Sequence, residues 1–255
     1  MVTGTENLLG EFIGTAVLLV FGCGVCANTT LEKSKGQNSG WVNIAIGWGF
    51  AVTLGVFTAT TLGAPQGDLN PAVTFGKTLA GIYTFQQFIM TAIVQVLGGI
   101  LGATIVWLAY LPHWAETKDP AAKLGVFSTA PAIRNIPCAF IAEFIATFFL
   151  MFIIWMIFSP AFDYTHTAGV KTLANGYGPY IVGVLIWALG LSLGGPTGYA
   201  MNPARDLGPR IAHAILPIAG KGSSDWGYAW VPVVAPLCGA GAAYIVAVAL
   251  GAFGA

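Results

Sequence analysis

Arg205 and Asp206 are charged residues in a segment that long apolar stretches flank on both sides. A charged side chain is costly at membrane depth and normally marks a functional site, and the planar guanidinium of arginine can donate hydrogen bonds to two adjacent hydroxyl groups of one solute. Asn202 and Pro203 directly precede the charges and are typical of a helix start, because Asn is a favoured N-cap and Pro fits the first helical position. These residue types therefore indicate hydrogen bonding to a polar solute inside a membrane.

An irregular loop precedes this helix start, because Gly194, Gly195 and Pro196 are unfavourable inside a helix. The tripeptide that begins the helix occurs twice, as Asn70, Pro71 and Ala72 and as Asn202, Pro203 and Ala204. The copies are 132 positions apart, since 202 minus 70 is 132, and Glu-Phe-Ile at 11–13 and 143–145 has the same offset. The sequence therefore contains an internal duplication, and interrupted apolar segments at matching positions of two halves indicate a membrane transport site.

The paired Asn-Pro-Ala boxes occur together with a Glu near the start of each half and with the run Gly-Tyr-Ala-Met-Asn-Pro-Ala-Arg-Asp at 198–206. In this combination the chain resembles the major intrinsic protein family, in its aquaglyceroporin or glycerol facilitator branch. The resemblance covers nearly the whole chain, from about Leu8 to about Leu250. Paired boxes at matched spacing are a specific signal.

The composition is that of a membrane protein. Of the 255 residues, 56% are hydrophobic and only 8% are charged, whereas soluble proteins average about 25% charged residues. Ten Lys and Arg residues balance ten Asp and Glu residues, so no basic surface for nucleic acid is expected. The first apolar run contains Glu11 and lacks a basic leader, which favours a retained transmembrane helix over a cleaved signal peptide.

Cysteine and histidine spacing does not indicate a metal site. All four cysteines, Cys23, Cys26, Cys138 and Cys238, lie inside apolar runs. Cys23 and Cys26 are one helical turn apart, but no His or further Cys stands nearby to complete a zinc site. We interpret these cysteines as packing residues and expect neither a metal nor a cofactor.

Six apolar segments are long enough to cross a bilayer as helices, which takes about 20 residues. They are 8–27, 41–62, 85–111, 138–160, 177–193 and 228–250. Two shorter segments, 71–80 and 203–216, could cross only half of the hydrocarbon core. These segments predict an all-α membrane protein with six transmembrane helices plus two half-helices. The repeat is inverted because each half holds an odd number of crossings.

We expect one transmembrane channel domain over 1–255, built of repeats at about 1–111 and 138–255. The loop 112–137 joins them, and its prolines and mixed charge argue against a further span.

Loop charges and the family resemblance predict opposite orientations. Loops 28–40, 112–137 and 218–227 share one side and carry most of the lysines, whereas the other side has only Lys171, in the loop 161–176. The positive-inside rule alone would place the basic loops in the cytoplasm. The resemblance implies a multi-pass protein of the cell membrane with both termini in the cytoplasm. We follow the resemblance because the basic loops also hold acidic residues.

Each half-helix begins with unpaired backbone N–H groups and a partial positive charge of about half a unit. If the two half-helices meet end to end at mid-membrane, both positive ends face one point of a pore and repel cations and hydronium. Asn70 and Asn202 are the expected N-caps, and each would keep side-chain amide N–H groups for a passing water or hydroxyl oxygen. Alternatively, each asparagine only caps its half-helix and does not contact a solute.

The resemblance assigns the loop before each box to one wall of the pore. Backbone carbonyl groups in an extended loop need partners, and water and polyol hydroxyls would supply them. The expected carbonyl groups belong to Gln66, Gly67, Asp68, Gly198, Tyr199 and Ala200. Many family members have a His at the position of Asp68. Asp68 would either add a negative charge near one vestibule or cap the half-helix, and the sequence does not decide between these two roles.

By resemblance, Arg205 lies in a narrow selectivity filter with Trp48 and Tyr199, and Gly190 occupies the fourth position. Two aromatic faces can hold a carbon chain while Arg205 binds the hydroxyl groups, which suits glycerol. The water-selective branch typically has a His at the fourth position, so Gly190 leaves more room. The alternatives are ordinary core or interface aromatics for Trp48 and Tyr199 and a structural ion pair for Arg205.

Three acidic residues are expected to support the pore. Asp206 can cap its half-helix and brace the surrounding loop. By resemblance, Glu11 and Glu143 hold the backbone of the box-bearing loops. No nucleophile or metal set accompanies these two carboxylates, so we expect no catalytic acid–base pair and no enzyme activity.

The expected function is passive diffusion of glycerol, water and other small uncharged solutes, with exclusion of ions and protons. The resemblance implies a homotetramer with one pore per protomer, surrounded by membrane lipid. The close alternative is a channel mainly for water or for another small neutral solute, such as urea or a protonated weak acid. An ion-coupled transporter or intramembrane enzyme would need ionisable relays, and only Glu11 and Glu143 lie within full-length spans.

Overall fold

The computed structural model describes residues 5–158 and 170–252. Over these residues the chain forms ten helices and no strands, which confirms the all-α fold class. The helices are α1 (Leu8–Thr30), α2 (Trp41–Thr61), α3 (Pro71–Leu79), α4 (Phe85–Ala109), α5 (Leu111–Glu116), α6 (Pro120–Phe127), α7 (Ile136–Phe158), α8 (Val170–Leu193), α9 (Pro203–Ile215) and α10 (Val231–Ala249).

Five of these helices, α1, α2, α4, α7 and α10, are long and apolar enough to cross a membrane. The apolar stretch Tyr177–Leu193 of α8 coincides with another predicted span. The outer faces of the helices carry large apolar side chains, and Phe50 is 52% exposed and Ile93 54% exposed. Apolar surface of this kind is unfavourable in water but matches lipid tails. The chain is therefore an integral membrane protein.

Two of the predicted loops contain helix. We expected Lys171 in the loop 161–176, but α8 begins at Val170, and residues 161–169 lie outside the described part. The connection 112–137 holds α5 and α6 and no further span. α6 starts where Asp119 Oδ1 accepts a hydrogen bond of 2.8 Å from the backbone N–H of Ala121. Hydropathy detects the apolar length of a span, so it misses helical turns that are short or polar.

The half-helices α3 and α9 begin at the two predicted boxes. Their N-cap residues have nearly the same backbone conformation, with φ −153° and ψ 113° at Asn70 and φ −151° and ψ 108° at Asn202. The residues just before them, Leu69 and Met201, both have positive φ, at 53° and 48°. The two loops therefore approach their helices through the same turn, 132 positions apart.

Each half-helix packs against a long helix of the other half of the chain, α3 on α10 and α9 on α4. The contact of α9 with α4 is close because both surfaces carry glycine. A methyl group built at Gly99 would lie 2.8 Å from the carbonyl oxygen of Ala204, and one built at Gly208 would lie 3.0 Å from Cα of Gly99. Small residues of this kind let helices approach backbone to backbone within a membrane. The packing holds the two half-helix starts together.

Candidate functional site

Asn70 joins the start of α3 to the loop of the other half. Its Oδ1 accepts a hydrogen bond of 2.9 Å from the backbone N–H of Ala72, which caps the helix. Its Nδ2 donates a hydrogen bond of 2.9 Å to the carbonyl oxygen of Met201, the residue before the second box.

Asn202 makes the reciprocal contacts. Its Oδ1 accepts hydrogen bonds from the backbone N–H groups of Ala204 at 2.9 Å and Arg205 at 3.1 Å, and its Nδ2 donates to the carbonyl oxygen of Leu69 at 2.8 Å. Each asparagine amide has two hydrogens, and the contact across the loops takes one of them. The prediction that the amide N–H groups serve a solute therefore applies to the second hydrogen of each group.

Glu11 holds the first loop in place. Its Oε1 accepts a hydrogen bond from the backbone N–H of Asp68, and its Oε2 accepts one from the backbone N–H of Leu69, both at 2.8 Å. Gln95 Nε2 on α4 also donates to Oε2, at 2.9 Å. The carboxylate is fully buried, and these three donors satisfy it where water would otherwise be needed.

Glu143 does the same for the second loop. It accepts hydrogen bonds of 2.9 Å from the backbone N–H groups of Ala200 and Met201, which lie 132 positions after Asp68 and Leu69. Its third donor is the hydroxyl of Thr197, at 2.6 Å. The third donor thus comes from a long helix in one half and from the loop itself in the other.

A cavity of about 550 Å³ runs past both box-bearing loops. One wall is largely apolar and is formed by one face of α2, with Trp48, Val52, Val56 and Thr60 at intervals of four residues. Asn70 and Asn202 also line the cavity, together with five of the six residues expected to supply carbonyl groups, which are Gln66, Gly67, Asp68, Tyr199 and Ala200.

Gly198 was expected on this wall, but the residues that line the cavity in the described part do not include it. A methyl group built at Gly198 would lie 3.4 Å from Cγ2 of Thr129, so the glycine faces the segment after α6. Its φ of 86° is a conformation that glycine adopts without strain.

Arg205 and Trp48 meet at one end of the cavity. Cζ of Arg205 lies 4.0 Å from the centroid of the Trp48 ring, a cation–π contact. The Arg205 guanidinium donates to the carbonyl oxygen of Phe127 at 3.3 Å, and none of the ion pairs among the described residues includes it. The alternative of a structural ion pair for Arg205 therefore has no support in this part of the chain.

The indole N–H of Trp48 points to the sulfur of Cys26, with Nε1 3.4 Å from Sγ. Trp48 thus has its polar atom bonded to a neighbouring helix and is only 4% exposed. Cys26, predicted to be a packing residue, also orients this indole.

Tyr199 fills the space that Gly190 leaves. A methyl group at Gly190 would lie 2.7 Å from both Cζ and the hydroxyl oxygen of Tyr199, so a side chain there would displace the ring. Trp41 packs edge-on against the same ring at 5.7 Å, and its Nε1 donates to the carbonyl oxygen of Gly190 at 2.8 Å. Gly190 was expected to leave room for the solute, but Tyr199 occupies that room. The Tyr199 hydroxyl has no hydrogen-bond partner among the described residues.

Asp206 braces a loop but does not cap its half-helix, a role that belongs to Asn202. Its Oδ2 accepts hydrogen bonds from the backbone N–H of Thr129 at 2.8 Å and from its hydroxyl at 2.7 Å. Its Oδ1 lies 2.7 Å from Nη2 of Arg210, one helical turn away, and both side chains are fully buried. Arg210 was not predicted, although its spacing of four residues from Asp206 on a helix is a signal for such a pair.

Asp68 takes neither of the two roles considered for it. Its Oδ1 lies 2.5 Å from Nζ of Lys77, and its Oδ2 accepts a hydrogen bond of 3.0 Å from the hydroxyl of Thr74. The carboxylate is therefore neutralised by a lysine in the last turn of α3. Lys77 was not predicted, because a spacing of nine residues across a loop and a helix gives no local signal.

Comparison with known proteins gives consistent matches over nearly the whole chain. The model of the Major intrinsic protein family matches residues 2–247. The chain is 52% identical over 233 residues to glycerol uptake facilitator protein 3 of Lactiplantibacillus plantarum, covering 91% of this chain and 92% of that protein. It is 40% identical over 239 residues to the D/L-lactic acid transporter of the same organism, covering 92% and 93%. The X-ray structure of the aquaglyceroporin from Plasmodium falciparum is similar, with a TM-score of 0.80, 27% identity and 95% coverage of both chains.

The contacts of Glu143 lead to a prediction for Glu143→Gln. The amide can accept fewer hydrogen bonds and turns a donor toward the loop, which leaves a buried backbone N–H group unsatisfied at a cost of about 1–3 kcal/mol. We expect a lower melting temperature in detergent and lower permeabilities to both water and glycerol in liposomes. Glu116→Gln, at an exposed ion pair, is the control. Unchanged stability and permeability in Glu143→Gln would show that the loop does not depend on this carboxylate.

Proposed function

The chain belongs to the major intrinsic protein family, and we propose that it is a passive channel of the cell membrane for glycerol, water and other small uncharged solutes. The observation that carries this proposal is the contact of Arg205 with Trp48 at one end of a cavity that continues past both asparagines. A cation beside an aromatic face offers hydrogen bonds to hydroxyl groups and a surface for carbon atoms in the same place. Such a channel moves solute down its gradient and uses no catalytic group.

The two walls of the cavity support glycerol as a solute. Glycerol has hydroxyl groups along a short carbon chain, so it needs hydrogen-bond partners on one side and tolerates an apolar surface on the other. Val52 and Val56 on α2 supply the apolar surface, and the box-bearing loops supply the polar one. A solute that loses water on entry would regain hydrogen bonds along one side.

The half-helix starts support exclusion of ions. The established account of aquaporin selectivity invokes pore diameter, the groups that line the pore and an electrostatic barrier from an Arg or from helix dipoles. Both sources of an electrostatic barrier, the arginine and the helix dipoles, fit this chain. The starts of α3 and α9 meet through Asn70 and Asn202, and Arg205 adds a full positive charge that no carboxylate among the described residues neutralises. Cations and hydronium would be repelled at both places.

We extend the proposal to the assembly and its orientation. The repeats 1–111 and 138–255 would run in opposite directions through the membrane, which agrees with the start-to-start meeting of α3 and α9 through Asn70 and Asn202. Both termini would lie in the cytoplasm. The protomers would form a homotetramer, with part of the exposed apolar helix surface covered by neighbours and the rest by lipid.

The glycerol proposal is tested by stopped-flow light scattering on liposomes that contain the purified protein. A glycerol gradient should cause fast shrinkage followed by reswelling, because water leaves first and glycerol then enters. A sorbitol gradient should cause shrinkage alone. If reswelling in glycerol is no faster than in protein-free liposomes, the glycerol assignment is wrong.

A protonated weak acid is a second candidate solute, favoured by the similarity to the D/L-lactic acid transporter. The same liposomes, loaded with a pH-sensitive dye, would acidify on addition of lactic acid. Only the neutral form would enter, so the rate should rise as the external pH falls. Acidification equal to that of protein-free liposomes at every pH would exclude this solute.

Arg205→Val should widen the pore and weaken the exclusion of charged species, because the substitution removes both the bulk and the charge of the guanidinium. The measurement is ion leak and solute ranking in liposomes. Arg134→Val is the matched control, since the Arg134 side chain is 54% exposed and pairs with Asp225 outside the cavity. An unchanged ion leak together with an unchanged solute ranking would count against a filter role for Arg205.

Trp48→Ala should relax discrimination against polyols larger than glycerol, because it removes the aromatic side chain on which Arg205 stacks. We expect the entry rates of four- and five-carbon polyols to rise severalfold relative to that of glycerol. Trp226→Ala provides the control, since Trp226 is 51% exposed and does not line the cavity. If the size cutoff is the same in Trp48→Ala and wild type, Trp48 does not form the wall.

A further inference from the structure

Asp68 and Lys77 form a charged pair that lines the cavity away from Arg205. Nζ of Lys77 lies 2.5 Å from Oδ1 of Asp68 and 3.4 Å from the carbonyl oxygen of Gln66. Lys77, Asp68 and Gln66 all line the cavity that also contains Arg205. The solute pathway therefore has a cationic side chain toward each end.

The side chains of α2 show where the Asp68–Lys77 pair lies along the cavity. Trp48 and Thr60 line the same wall and are 12 residues apart, which is about 18 Å along a helix. Arg205 stands at the Trp48 end. A methyl group built at Gly67, next to Asp68, would lie 3.0 Å from Cγ1 of Val56 and 3.3 Å from Cγ2 of Thr60, so the loop that carries Asp68 lies beside α2 about two to three turns away from Trp48.

The two side chains of the pair differ in access to the cavity. The Asp68 side chain is 0% exposed, whereas the Lys77 side chain is 12% exposed. Asp68 is fixed from two further directions, by the hydroxyl of Thr74 and through its own backbone N–H by Glu11. Asp68 therefore acts as a rigid support, and Lys77 is the member that a solute can reach.

The ammonium group of Lys77 keeps hydrogen-bonding capacity. It has three donors, and its hydrogen-bond partners among the described residues are Asp68 and the carbonyl oxygen of Gln66. One donor is left for a solute. The carbonyl oxygen of Gln66 has two lone pairs, so beside this donor there is also an acceptor.

Stability alone does not account for an ion pair at this place. A buried ion pair is weak evidence for stability, because well-packed apolar residues of similar volume are often as stable. A lysine near the C-terminus of α3 is favourable there by itself, and it would not need a buried carboxylate beside it.

We infer that Lys77, positioned by Asp68, is a second solute-binding station for small polyols, at the opposite end of the cavity from Arg205. The inference rests on the proposed glycerol conduction. The ammonium donates a hydrogen bond to one hydroxyl oxygen of the solute, and the carbonyl oxygen of Gln66 accepts one from a neighbouring hydroxyl. A polyol makes these two contacts with two hydroxyl groups of one molecule, whereas a water molecule has a single oxygen atom for both, so the station favours glycerol over water.

The test compares the ratio of glycerol to water permeability in liposomes. The double variant Asp68→Asn with Lys77→Met removes both charges together and leaves no unpaired buried carboxylate. We expect its ratio to fall about tenfold, which corresponds to the loss of one hydrogen bond from a charged donor. Lys77→Arg keeps both the charge and the donors and should restore most of the ratio. Lys35→Met, an exposed lysine in the loop after α1, is the control for loss of a positive charge.

The outcomes separate this inference from the proposed function. If wild-type liposomes do not reswell in glycerol, the function itself is wrong. If they reswell but the double variant keeps the wild-type ratio, or loses water and glycerol permeability in equal proportion, the pair is structural and the station is wrong. If the double variant aggregates during purification, the same ratio measured for Lys77→Gln decides, with a fall supporting the station and equality with wild type overturning it.

Discussion

The reciprocal contact between two asparagine-capped helix starts is the interaction on which the rest of this structure depends. Asn70 donates to the carbonyl oxygen of Met201, and Asn202 donates to that of Leu69. Two helix N-termini repel each other electrostatically, and the crossed amide contacts offset that repulsion. The contact also places two partial positive charges beside the solute pathway. Without it the carbonyl oxygens of Met201 and Leu69 would lose these partners, and only packing on α10 and α4 would hold the two starts together.

Two buried carboxylates and their partners support this contact. A loop inside a membrane must find partners for its N–H groups, and Glu11 and Glu143 each accept two of them on the side away from the cavity. The carbonyl groups of the same segments can then serve a solute. Each carboxylate is itself satisfied by a third donor. The N–H groups of each loop are thus satisfied by a carboxylate, and in the proposed channel the carbonyl groups would remain for hydroxylated solutes.

The two ends of the cavity differ in how their cations are held. Arg205 stacks on Trp48 and is bonded to a carbonyl oxygen, so its full charge acts on the pathway. Lys77 is paired with Asp68, so its charge is largely cancelled while its donors are retained. In the proposed channel, the uncancelled charge of Arg205 would exclude cations, and the cancelled charge of Lys77 would still leave donors for hydroxyl groups. The two copies of the repeat therefore place different side-chain chemistry along the cavity, although their loops have the same backbone turns.

The sequence alone predicted the membrane spans and the half-helix starts, because these signals are local, and its repeated tripeptide shows the offset of 132. Apolar length specifies a span, and Asn followed by Pro specifies a helix start wherever it occurs. Only the tertiary structure decided which side chains meet. It paired Asp68 with Lys77 and Asp206 with Arg210, seated Tyr199 against Gly190 and turned Gly198 away from the cavity. Those outcomes depend on how closely helices from distant parts of the chain approach one another. A local sequence pattern does not predict that distance.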